Sequence, residues 1–175
     1  TYHHFLDDEC SIFASKSPSN DLKRLLSMPS STFWQWKCDQ KLRDGIWKPT
    51  SRMIDNMSKF HHIIRSHTGT QWWGGRNTLG IELIRRQCQL TYDSGLDSVS
   101  MFGEISPYHT NAEFNYLALE YFADKPHNSV RDFEMDIMAP RLGGFSNAET
   151  YGSYASLYRQ ADKIPAAVAD IAKIT

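Results

Sequence analysis

The sequence predicts an α/β fold in which four consecutive strand–helix units form a parallel sheet, followed by a helical C-terminal extension. Two observations predict it. Short runs rich in strand-forming residues alternate with segments of helical periodicity, and the strand signal disappears after Pro126. We therefore predict a βα region over residues 1–125 and a helical extension over residues 126–175 that packs on it.

Four runs of the chain carry the strand signal. They are Tyr2–Leu6, Thr32–Cys38, His61–His67 and Ser98–Glu104. Helix-start chemistry or helical periodicity follows each of them. The predicted helices begin near Asn20, Ser51, Asn77 and Thr110. The helices predicted after Pro126 include Ser129–Met138, which Pro140 stops, and Asn147–Ala161. Gly95 is predicted to end the third helix in the left-handed conformation.

Two features of the loops favour half of an eight-stranded (β/α)8 barrel over a small open sheet. No glycine-rich phosphate loop follows any predicted strand, as it does in nucleotide-binding open sheets. All four strands also end in polar residues, and the carboxyl ends of the strands are where barrels keep their chemistry. A half barrel leaves a sheet edge exposed on each side, so we expect an N-terminal half-barrel partner or a homodimer that closes it.

Composition excludes several classes of function. The formal net charge is −1 and the basic residues are scattered, so neither nucleic acid nor a membrane surface is expected as a partner. No apolar run approaches the roughly 18 residues of a membrane span. Cys10, Cys38 and Cys88 lack zinc-site spacing, and their odd number favours a reducing compartment, although an extracellular protein with one disulfide stays open as the alternative. Adjacent histidines on a strand point to opposite faces, so we expect no metal site; no cofactor is expected either.

Side-chain alternation indicates which strand residues face a cleft. In the fourth strand Val99 and Met101 share one face, which we expect to meet the helices. The opposite face then carries Ser98, Ser100, Phe102 and Glu104. By the same reasoning Lys37 and Asp39 face the cleft from the second strand.

The polar residues at these strand ends suit glycoside hydrolysis, which needs one carboxylic acid and one carboxylate. Aromatic residues make up 13% of the chain, and Trp72–Trp73 offer flat rings for stacking on a sugar. For Glu104 three roles stay open: the catalytic acid, a ligand of sugar hydroxyls, or a structural salt bridge or cap. Asp7–Glu9 is either a solvated acidic turn or the acid end of a strand.

The segments Gly95–Pro107 and Asn111–Ala118 resemble the last βα unit of barrel glycoside hydrolases, and Pro140–Gly144 is similar to their C-terminal helical tail. The opening His4–Glu9 resembles the strand-end Asp–Glu pair of β-N-acetylhexosaminidase-like barrels. The resemblance implies that Asp8 positions an acetamido group, that Glu9 is the general acid, and that Glu104 binds hydroxyls. The N-terminal half of such a barrel has no counterpart in this chain.

We therefore predict a glycoside hydrolase-like protein that acts on carbohydrate. Its predicted catalytic residues are Asp8, Glu9 and Glu104. Its predicted substrate-binding residues are Lys37, Asp39, His67, Trp72, Trp73, Arg76 and Tyr108. Two alternatives stay open: a non-catalytic carbohydrate-binding or structural half barrel that needs a partner, and a small open-sheet α/β domain that binds a metabolite.

Overall fold

A computed structural model describes residues 2–5, 23–24, 26–37, 51–66, 79–101 and 111–157 of the 175-residue chain. Within these ranges the chain is mixed helix and strand, and its strands form one parallel sheet. The coarse prediction of an α/β fold with a parallel sheet is therefore confirmed.

The sheet contains four described strands in the order β1-β2-β3-β4, and every neighbouring pair is parallel. The strands are β1 (Tyr2–Phe5), β2 (Phe33–Lys37), β3 (His61–Ser66) and β4 (Ser98–Met101). Each lies inside a run that the sequence predicts as a strand.

Helices follow three of these strands. They are α1 (Ser51–Met57) after β2, α2 (Ile81–Asp93) after β3 and α3 (Asn111–Asp124) after β4. Between β1 and β2, Lys23, Arg24 and Leu26 are helical, and most of the predicted first helix lies outside the described residues. The complete set of four strand–helix units is therefore not described.

Helix α2 begins later than the sequence predicts. Leu79 and Gly80 are not helical, so the predicted start just after Asn77 is wrong. The Gly80 carbonyl accepts the first intrahelical bond from Ile84, and the Gly80 amide donates to Asn115 Oδ1 at 2.7 Å. Gly80 is thus the N-cap, and a residue 35 positions away satisfies its amide. At the other end Gly95 has φ 64°, as predicted.

The predicted stop at Pro140 is also wrong. Helix α4 (Val130–Phe133) continues into a π-helical segment (Glu134–Met138) and then into α5 (Ala139–Leu142). In the π segment Ala139 N–H donates to the carbonyl of Glu134, five residues back. Pro140 then lies in the first turn of α5, where its missing N–H costs little. Gly143, with φ 80°, ends α5 instead.

The last described helix, α6 (Phe145–Leu157), begins two positions before the predicted start at Asn147. None of the helices in the described ranges is long and apolar enough to cross a membrane. The predicted division of the chain near residue 125 stays a prediction.

Two compact units divide the chain. The first takes in residues 1–66 and 86–101, and it contains the sheet. Its described core includes Phe60, Ile64 and Cys88, all buried.

The second unit takes in residues 67–85 and 102–175. Its core is aromatic: Phe122 and Phe133 have no exposed surface, and Tyr121 packs edge-on against both. A capping box of Ser129 and Asp132 starts α4 beside this cluster.

Candidate functional site

The two faces of β3 differ in burial. On one face His62 and Ile64 are 1% and 0% exposed. On the other face Ile63 and Arg65 are half-buried. The register places Ser98 beside Ile63 and Val99 beside Ile64, so these two residues of β4 belong to opposite faces. Ser98 is exposed, whereas Val99, Ser100 and Met101 are all half-buried, so the predicted alternation of burial in β4 stays a prediction. We call the face of Ile63, Arg65, Ser98 and Ser100 the open face.

The register aligns four residues in one row across the sheet. Phe5 pairs with Lys37, Lys37 with Arg65, and Arg65 with Ser100. The row lies at the C-terminal end of β1 and β2 and one residue before the end of β3 and β4. Parallel sheets bind their ligands at this end. We call this row the cation row, because two of its four members are basic.

Gln87 of α2 holds the strands that carry Arg65 and Ser100. Its Nε2 donates to the Ile64 carbonyl at 2.7 Å and to the Ser100 carbonyl at 3.1 Å. Gln87 is 1% exposed, and Thr91 Oγ1 donates to its backbone carbonyl at 2.7 Å. One buried amide thus bridges β3 and β4, which fixes the spacing of the two strands at the cation row.

The opposite end of the sheet is stabilised by Asp97, just before β4. Its Oδ2 accepts from the His62 amide at 2.8 Å, and its Oδ1 lies 3.4 Å from His61 Nδ1. Phe33 stacks on His61 with ring centroids 4.8 Å apart. These side chains are about half exposed and lie at the N-terminal end of the strands.

Lys37 is the one predicted site residue inside the described ranges, where the structure gives its backbone position. The other predicted residues lie outside these ranges: Asp8, Glu9, Asp39, His67, Trp72, Trp73, Arg76, Glu104 and Tyr108. Over the residues that the structure describes, no group of three His, Cys, Asp or Glu side chains could hold a metal ion.

Arg65 is a candidate that the sequence prediction left out. It shares the alternation of His61, Ile63 and His67, so its face could be assigned from the sequence. Its position beside Lys37 could not, because the register between two strands is a tertiary feature. Arg65 stands beside Ser100 in the register, and a basic residue beside a hydroxyl suits a ligand rich in oxygen.

The second unit holds a separate polar cluster. Tyr121 Oη donates to Asp136 Oδ2 at 2.7 Å, and Asn128 Nδ2 donates to Tyr121 Oη at 2.8 Å. Burial, followed by the bond to Asp136, raises the pKa of Tyr121 above its usual range. These bonds tie α3 to the π segment and serve its packing.

No protein family, curated protein or solved structure shows a significant match to this chain.

Proposed function

We propose that this chain is the C-terminal half of a (β/α)8 barrel that binds carbohydrate on the open face and hydrolyses a glycosidic bond. One observation carries the proposal: the described strands are all parallel and follow one another in sequence order, and in β3 the buried His62 and Ile64 alternate with the accessible His61 and the half-buried Ile63 and Arg65.

The strand order supports a barrel. Crossovers between parallel strands are right-handed, so strands added in sequence order place their crossovers on the same side of the sheet. That is the winding of a barrel. Open nucleotide-binding sheets instead reverse their strand order at a switch point, where the ligand binds. The described order β1-β2-β3-β4 contains no reversal, which disfavours an open-sheet metabolite-binding domain.

The open face supports closure by another half. All-parallel sheets occur almost only with both faces covered. Here Ile63, Arg65 and Ser98 are partly or fully accessible, whereas His62 and Ile64 are buried. In a completed barrel this face becomes the interior, and the carboxyl ends of its strands form the floor of a cleft.

The residues of the open face support a sugar ligand. Ser98 and Ser100 carry hydroxyls, and Arg65 carries five N–H donors that can bond to sugar oxygens. Carboxylates follow β1 and β4 in the sequence, at Glu9 and Glu104. Hydrolysis assigns one carboxyl group to protonate the leaving oxygen, and the other to act as nucleophile or as the base that activates water.

Turnover of aryl glycosides tests the proposal. We expect wild-type protein to release the aryl group from at least one sugar of a panel. Glu9→Gln or Glu104→Gln should lower kcat by about 100-fold or more, since general acid catalysis contributes about 10²–10⁴-fold. Glu120→Gln, at an exposed position of α3, is the matched control and should keep wild-type turnover.

The rival function is carbohydrate binding without catalysis. This function is supported if wild-type protein hydrolyses no glycoside of the panel while the same sugars still quench its tryptophan fluorescence. If no sugar is hydrolysed and none alters the fluorescence, the carbohydrate proposal is wrong.

A further inference from the structure

We propose that the carbohydrate bound on the open face carries a carboxylate or a similar anionic substituent, and that Arg65, with Lys37 beside it in the register, recognises that group. This inference rests on the proposed function and names its substrate class. It predicts an acidic sugar, such as a uronic acid, in preference to a neutral one.

The first argument is the position of the two basic residues. Lys37 and Arg65 are register partners on neighbouring parallel strands, and such strands lie about 4.8 Å apart. A ligand anion bound at these two positions would be attracted by both positive charges.

The second argument is the burial of the guanidinium. Arg65 is half-buried, and its Nε has almost no accessible surface. A barrel interior is normally filled with branched apolar side chains, so an arginine in such a row is unusual. A guanidinium has five donors in a planar fork, enough to keep contacts within the protein and still bind a carboxylate through two of them.

The third argument is rigidity. The Gln87 amide bridges the carbonyls of Ile64 and Ser100, the residue before Arg65 and the residue beside it. The backbone that carries Arg65 and the Ser100 hydroxyl is therefore held in place before a ligand arrives. Such preorganisation reduces the entropy cost of binding.

Calorimetric titration with two matched ligands tests the inference. Methyl β-D-glucuronide and methyl β-D-glucoside differ only at the exocyclic carbon. We expect the glucuronide to bind at least about tenfold more tightly, in keeping with the strength of hydrogen bonds to charged groups. Arg65→Gln should abolish this preference, and Arg65→Lys should keep part of it, because a lysine retains charge but loses the bidentate fork.

Arg86→Gln is the matched control, since Arg86 is exposed on α2 in the same unit, and it should keep the full preference. Sodium sulfate distinguishes a sugar site from a general anion site. We expect it to compete only weakly with the glucuronide. Sulfate binding as tight as glucuronide binding overturns the assignment to a sugar.

Equal affinities of wild-type protein for the two glycosides overturn the inference, and this readout does not depend on whether the variants fold. The outcome is separate from that of the proposed function. If the protein hydrolyses neutral glycosides and shows no preference for the acidic one, the proposed function stands and the inference is wrong. If it binds the glucuronide selectively but hydrolyses no glycoside, the inference stands and the proposed catalysis is wrong.

Discussion

Gln87 bridges β3 and β4 by hydrogen bonds to the backbone of both strands. It is buried, and its Nε2 donates to two strand carbonyls, so its loss leaves buried acceptors short of a donor. We expect Gln87→Leu to lower the free energy of unfolding by about 1–3 kcal/mol, measured by urea denaturation. Gln89→Leu, partly exposed on the same helix, should have a smaller effect. Equal effects of the two substitutions would show that the bridging amide contributes nothing.

Cys88 is a buried thiol of the sheet-containing unit, and it is 3% exposed. Burial raises its pKa from an ordinary 9.0 to about 12, because the thiolate would be desolvated. Since the thiolate is the reactive form, we expect Cys88 to resist alkylation at pH 8 in the folded protein and to react in urea. Peptide mass mapping separates Cys88 from Cys10 and Cys38. Rapid labelling of Cys88 in the folded protein contradicts the prediction.

The same shift links Cys88 to stability. A thiol whose pKa is raised on folding stabilises the fold below the pKa of the unfolded chain, and that contribution is lost as pH rises from about 9 towards about 12.

Among the elements, the π segment places the carboxylate of Glu134 close to α6. Glu134 begins the segment, and a Cβ at Gly152 of α6 would lie 3.3 Å from its Oε1. The small residue therefore allows the carboxylate to approach α6. Burial, and then the charge of Glu149, raise the pKa of Glu134, while Arg131 of α4 opposes them. Arg131 also lies over the Phe145 ring, 4.5 Å from its centroid.

This arrangement predicts a pH-dependent penalty. A carboxyl group whose pKa is raised on folding contributes stability below its unfolded value of 4.5, and that contribution is lost as pH rises through the folded value. The amide in Glu134→Gln stays neutral at every pH, so this variant does not lose that contribution. We therefore expect the substitution to stabilise the protein at pH 7 relative to wild type, and to make little difference at pH 4. The effect is small because Glu134 is partly exposed, and only the part that comes from the charge of Glu149 falls with salt.

Thermal unfolding at pH 4 and pH 7 measures this difference. Glu149→Gln is the informative companion, because it removes one of the two causes and should reproduce part of the stabilisation. If Glu134→Gln is destabilising at pH 7 and its effect does not change with pH, then the carboxylate is held by favourable contacts and the prediction is wrong.

At the scale of the whole molecule, β1 and β4 are the outer strands of the described sheet. Unpaired strand edges favour association. A twofold axis parallel to the strands would pair β4 of one copy with β1 of the other in the parallel sense and yield eight strands. At micromolar protein concentrations we expect light scattering to give the mass of a dimer. We also expect hydrogen exchange in both edge strands to slow as the protein concentration rises.

A monomer whose edge amides exchange independently of concentration contradicts the homodimer. If that monomer gains protection only when an N-terminal half barrel is added, the partner is that half.

The sequence by itself determined where most of the elements lie. Short runs with strand character, bounded by turn residues, placed the four strands, and apolar periodicity placed α1 and α3, because strand and helix preferences are local properties of the chain. Two helix boundaries differ from those that the local signals predict. Asn115, which is distant in the chain, bonds the Gly80 amide at the start of α2, and a π turn carries the helix past Pro140.

The tertiary structure decided what the sequence could not: which strands are neighbours, in what register, and which face is buried. Lys37 was predicted as a ligand-binding residue from its place near a strand end. Its pairing with Arg65, and the hold of Gln87 on the neighbouring strands, depend on contacts between residues far apart in the chain. Such contacts depend on the packing of the whole core, so a local sequence pattern does not predict them.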